Sequence, residues 1–148
     1  MEFGWINIFG AGIVLLVLIP NIIYASKYKR TTLIVEVSNY LSICEQIGRY
    51  ACIVLMWLPL FVWKFGFGSS GAMLLYLIAN GFLVLNYYLF WVIYSRKKTL
   101  AKAMALAIIP SVIFLLSGVL LHHWCLVVAA IVFSFAHCRI TYMTHKEY

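Results

Sequence analysis

The chain has 148 residues, of which 66% are hydrophobic and only 10% charged, whereas a soluble domain carries roughly 25% charged residues. That composition excludes a soluble globular fold. The net charge of +7 does not mark a nucleic-acid binder, because the bases sit between apolar runs rather than in a stripe interleaved with polar recognition residues.

In chain order, the first apolar run covers residues 5–25, close to the ~20 residues a spanning helix needs. No base precedes it, so it reads as a retained span rather than a cleaved signal. Pro20 lies inside it, and Asn21 follows directly, placed to satisfy the carbonyl that a proline frees four residues back. The run ends at Lys27, Lys29 and Arg30.

The stretch from Thr31 to Gly48 is mixed. Leu33, Val37, Tyr40, Leu41 and Cys44 share one helical face. This segment reads either as an amphipathic lead-in helix on the cytoplasmic surface or as the wet end of a tilted second span. Only residues 50–63 are free of charge. Fourteen residues rise about 21 Å, short of the ~30 Å hydrocarbon core, so the second span is placed at about 45–64 and takes in Glu45, Gln46 and Arg49. Acid and base stand at i and i+4 in the favourable order. They form either an interfacial ion pair that sets the depth of the span, or, with Gln46, a wet vestibule for an ion or an anionic headgroup.

A Gly/Ser-rich turn, "KFGFGSSG", separates this from a third span at 72–94. Tyr76, Asn80 and Tyr87 lie on one helical face there, and Asn86 and Tyr88 add further polar groups. An amide in hydrocarbon needs a partner, so these residues act as helix–helix glue or line a polar path. After the basic loop "SRKKTLAK" come a fourth span at 103–121 and a fifth at 124–142, joined at His122 and His123. A single helix over 103–138 would run about 54 Å and overshoot the bilayer. Ala103, Ala107 and Ser111, and Ala130 and Ser134, form small-residue faces that let these two spans approach closely. Pro59 and Pro110 add kinks. Trp5, Trp63, Trp91, Tyr94, Trp124 and Tyr142 fall near span ends, as in aromatic belts.

The expected architecture is therefore an all-α membrane bundle of five spans forming one domain. Ten of the eleven bases fall on or near one side and Lys64 alone on the other, which places the N-terminus outside and the C-terminus in the cytoplasm of a plasma membrane, with bacterial usage. The four cysteines show no C-x-x-C pair, and the four histidines are too dispersed to share a metal. Neither a metal nor a cofactor is expected. The partners are the bilayer and either a second copy or another membrane protein, and nucleic acid is not among them.

The expected function is transport or channel-like passage of an ion or small solute, with Glu45, Gln46, Arg49, Asn80, Asn86, Tyr76 and Asn21 along the path. The alternatives are an accessory, regulatory or immunity subunit that binds through its helix faces, and an inner-leaflet lipid-modifying enzyme using His137, Cys138 and Arg139.

Overall fold

The computed structural model describes residues 6–27, 38–58, 60 and 66–146, with no account of the Lys27 side chain. Five helices make up the fold: α1 (Ile8–Lys27), α2 (Asn39–Trp57), α3 (Ser70–Arg96), α4 (Leu100–Leu120) and α5 (Trp124–His145). Among the described residues there is no β-strand ladder. Trp5, Lys29, Arg30, the start of the lead-in segment, Pro59, Trp63 and Lys64 lie outside the described residues.

Four helices, α1, α3, α4 and α5, are long and apolar enough to cross a membrane. Their surfaces agree with that reading. Ile78, Leu85, Val128 and Phe135 are more than half exposed, part of an apolar band too extensive for water. The chain is a small helical membrane protein. α2 is less apolar because its 19 residues include Asn39, Ser42, Glu45, Gln46 and Arg49. It begins at Asn39 rather than at 45, so from that point the mixed segment belongs to the second helix itself. It closes at Trp57 with Leu58 extended (φ −106°, ψ 124°), the conformation that a following proline imposes on its neighbour.

The helices form a ring in the order α1, α2, α5, α4, α3. The tightest packing runs from α3 through α4 and α5 to α2, and α1 completes the ring with looser contacts to α2 and α3. The α4–α5 hairpin packs as its small residues lead one to expect: Ala103, Ala107, Ser111 and Ala130 are all buried. The turn between them is a Schellman closure. His123 N–H bonds Gly118 C=O (2.8 Å) and His122 N–H bonds Val119 C=O (3.1 Å). His122 takes the left-handed conformation this requires, at φ 53°. α2 and α5 meet at Gly48, where a Cβ would lie 2.9 Å from Phe133 backbone atoms.

α1 is attached by hydrogen bonds more than by packing. Asn7 N–H bonds Trp57 C=O (2.9 Å), and the Asn7 side chain caps α1 by accepting from Gly10 N–H (2.9 Å). Pro20 leaves the Leu16 carbonyl without its helical donor. Asn21 does not fill that role, because its amide reaches Val17 C=O instead (3.1 Å). The Tyr88 hydroxyl of α3 donates to Leu16 C=O at 2.8 Å. The vacancy made by the proline thus becomes an interhelical bond.

Gly48→Ala is expected to destabilise the protein by about 1–3 kcal/mol, because the atoms it meets are backbone and cannot swing aside. Gly81 has open space around it, so Gly81→Ala should instead stabilise α3 by about 0.5–1 kcal/mol. Thermal unfolding of both variants in one detergent checks the contrast in sign.

Candidate functional site

Glu45 stands one turn below Gly48 on the inward face of α2. The glycine lets α5 approach closely enough for a side chain from that helix to reach the carboxylate. His137 does so, with Nδ1 3.0 Å from Glu45 Oε1. Arg49, one turn up on α2, places Nη2 on the same oxygen. Glu45 is 5% exposed, and its carboxylate sits behind its two partners. An ionised carboxylate only accepts, so Nδ1 of His137 carries the hydrogen of this bond. Phe133, one turn earlier on α5, fixes the ring by stacking on it at 4.8 Å and 17°.

Arg49 and His137 face a cavity of about 390 Å3 to which all five helices contribute. Its lining comes mainly from the C-terminal halves of α1, α3 and α5, the N-terminal half of α4, and Arg49 and Ile53 past the middle of α2, so it lies toward the end of the bundle that carries Arg96, Lys97, Lys98 and Lys102. Ala103, Ala107 and Pro110 leave the room on the α4 side. Small side chains and a ring that cannot extend far from the backbone produce space where α1 packs loosely.

Polar groups surround this space. On the α1–α3 wall the Tyr87 hydroxyl donates to Asn21 Oδ1 at 3.1 Å. Near the mouth the Tyr94 hydroxyl meets His145 Nε2 at 3.0 Å, and His145 Nδ1 lies 3.0 Å from Thr141 C=O. A carbonyl only accepts, so in the neutral ring Nδ1 holds the hydrogen and Nε2 accepts from Tyr94. Trp91 packs between Tyr24, Tyr87 and Tyr94, with centroids 5.0 to 6.4 Å away. Trp91 and Tyr94 thus face inward, whereas Trp124 and Tyr142 are exposed as belt residues are. Lys98 Nζ lies 5.7 Å above the Tyr24 ring.

The residues singled out from the sequence divide into three groups. Glu45, Arg49 and His137 converge, although the sequence placed them in two separate sites. Asn21 joins the same cavity through Tyr87. Tyr76 and Asn80 are fully buried in the opposite half, where Asn80 Nδ2 bonds Tyr76 C=O (2.9 Å) and the Ser117 hydroxyl donates to Asn80 Oδ1 (3.4 Å). The Tyr76 hydroxyl faces Ser117 and Asn7 there without a well-formed hydrogen bond. Asn86 bonds Phe82 C=O of its own helix (2.8 Å) and does not line the cavity. Gln46 and Arg139 are exposed, and Cys138 and Arg139 are not part of the cavity wall beside His137.

Asn7, Ser117, Tyr94 and His145 had no signal strong enough to select them. His145 in particular reads as a polar tail, but it is the last residue of α5. Among the described residues, no three His, Cys, Asp or Glu side chains converge as metal ligands.

If the cavity is wet, a cysteine at Thr141, on its wall, should react readily with a water-soluble maleimide. A cysteine at Ile78, 68% exposed on the outer surface of α3, should stay largely unreactive in a bilayer. The comparison uses a background in which the four native cysteines are replaced, with labelling read by mass spectrometry. No protein family, curated protein or solved structure matches this chain.

Proposed function

We propose that this protein is a small transporter that takes a solute into the bundle from the cytoplasmic side of a plasma membrane. The observation that carries this reading is the cavity itself. Five helices leave about 390 Å3 open and turn an arginine and a histidine into it, where a passive scaffold would close on apolar side chains. The size falls within the usual range for small-molecule sites, roughly 300–1,000 Å3.

A second feature supports a path rather than a dead end. Tyr76, Asn80, Tyr87 and Tyr94 are all buried on one face of α3, so polar groups continue from the cavity through the closed half of the bundle. In this reading Tyr76, Asn80 and Ser117 form the closed gate, and loosely packed α1 is the element that moves.

The orientation rests on charge. The end beside the cavity carries Arg96, Lys97, Lys98 and Lys102, and among the described residues the opposite end carries no Lys or Arg. A bias of that size retains the basic end in the cytoplasm. A cysteine at Lys98 is expected to resist membrane-impermeant reagents in intact cells and to react after permeabilisation.

A partner-binding role has one observation in its favour. An apolar groove outside α2 and α5, lined by Ile47, Gly48, Ala51, Cys125 and Ala129, has small residues at its base, a shape suited to another helix or an acyl chain. Flux separates the two readings. Proteoliposomes containing the protein should move at least one solute from a panel of small anions, cations and neutral amphiphiles, and Arg49→Gln should reduce that flux at least tenfold. No flux for any member of the panel would leave the partner-binding role standing.

A further inference from the structure

Arg49, His137 and Glu45 make an electrically balanced unit when the imidazole is neutral, with one guanidinium, one carboxylate and no net charge. Only Arg49 and His137 are on the cavity wall, and the carboxylate lies behind them. We propose that the cavity binds an amphipathic monoanion together with one proton, the oxyanion on Arg49 and the proton on the Glu45–His137 pair. This rests on reading the cavity as a ligand site and names the ligand class and its coupling.

The chemistry of the ligand follows from the wall. Arg49 uses Nη2 on Glu45, which leaves further N–H donors of its planar fork for an oxyanion. The rest of the cavity is mostly apolar or aromatic, with Val17, Leu18, Leu106 and Phe114 below the charged cluster. At ~30 Å3 per water the space equals about 13 waters, which suits a charged head on a short apolar body.

The proton follows from charge balance. Adding an anion alone would leave the unit at −1 inside the bundle, where an uncompensated charge costs several kcal/mol. Adding an anion and a proton leaves it neutral. The proton comes from solvent and is taken up at His137 Nε2, so the imidazole becomes a cation whose Nδ1–H stays on Glu45 Oε1. In the cation form His137 offers a second N–H, from Nε2. The other titratable groups on the wall are Tyr24 from α1, Tyr87 and Tyr94 from α3, and His145 from α5, and α4 contributes none among the described residues. His145 is engaged with Tyr94 and Thr141 near the mouth, and among the described residues no other carboxylate lines the cavity. Proton and anion binding are then reciprocal: each raises the affinity for the other by the same factor.

The test uses octanesulfonate, which stays ionised at every working pH, so any proton taken up belongs to the protein. The purified protein is placed in nanodiscs of zwitterionic lipid and compared with empty discs. The expected result is binding of octanesulfonate but not of octyltrimethylammonium. Affinity should fall as pH rises, by up to tenfold per unit, with about one proton taken up per anion at the alkaline end. A pH indicator in weak buffer counts the protons.

Glu45→Gln removes the counter-charge, so octanesulfonate should bind it at least tenfold more tightly than wild type at about pH 8, with a weakened pH dependence. Arg49→Gln should bind it at least thirtyfold more weakly at all pH values. Wild-type binding that is flat with pH and takes up no proton overturns the proposal, as does weaker binding by well-folded Glu45→Gln. Should that variant not fold, the wild-type proton count decides alone. Phosphatidylglycerol in the discs separates two sources of the same chemistry: competition with octanesulfonate assigns the oxyanion to a lipid headgroup, and its absence assigns it to a free solute, both in keeping with the anion site. Binding is measured at equilibrium without flux. A protein that binds anion and proton but moves nothing loses the transport reading and keeps this one, and flux without proton uptake does the reverse.

Discussion

Hydrocarbon offers no partner to a polar group, and much of this structure is the protein's answer to that constraint. The Leu16 carbonyl loses its donor to Pro20 and is met by Tyr88 from another helix. Asn21 meets a carbonyl of its own helix and, through its oxygen, Tyr87. Glu45 is met twice, by Arg49 and by His137. Each of these bonds resolves a local deficit, and those formed across helices also set which helices are neighbours. Interhelical hydrogen bonds of this kind contribute only about 0.6–2 kcal/mol apiece. Their greater effect is on register, because a polar group that must be matched permits few alternative alignments.

Close packing and open space are distributed unevenly for a related reason. Where α2, α5 and α4 meet, Gly48, Gly118 and Ala130 bring backbones together and leave no gap. Where α1 closes the ring, its contacts are fewer and aromatic rings stand between the helices. The cavity occupies that looser side. Its charged wall belongs to the firmly packed α2–α5 pair and its opposite wall to the lightly held α1. A firmly packed charged wall thus faces a more loosely packed one.

The two halves of the bundle treat polarity differently. At the basic end, polar side chains line space. At the other end, Asn7, Tyr76, Asn80 and Ser117 are buried against one another, with the Asn7 amide nitrogen and the Tyr76 hydroxyl left without well-formed bonds. Unmet donors in a closed interior cost about 1–3 kcal/mol each, so this region is less stable than its burial suggests.

Much of the frame was written in the chain itself. Apolar runs long enough for a bilayer, a turn at His122 and His123, and small residues every fourth position in α4 follow from composition and helical period alone, because those are one-dimensional properties. The second helix was harder to delimit, because polar residues at its start obey two rules at once: they continue a helix while weakening the apolar run. The candidate site was legible only in pieces. Glu45 and Arg49 announce themselves as neighbours by spacing, but His137 lies 92 positions from Glu45 and carries no mark that directs it there. Trp91 and Tyr94 resemble belt aromatics in sequence and turn inward in the structure, since helical rotation, not position along the span, decides which face a ring takes. Solvent preference acts residue by residue and can be read along a chain. Partnership between distant polar groups depends on which helix faces meet, and that was decided only when five helices packed into one ring.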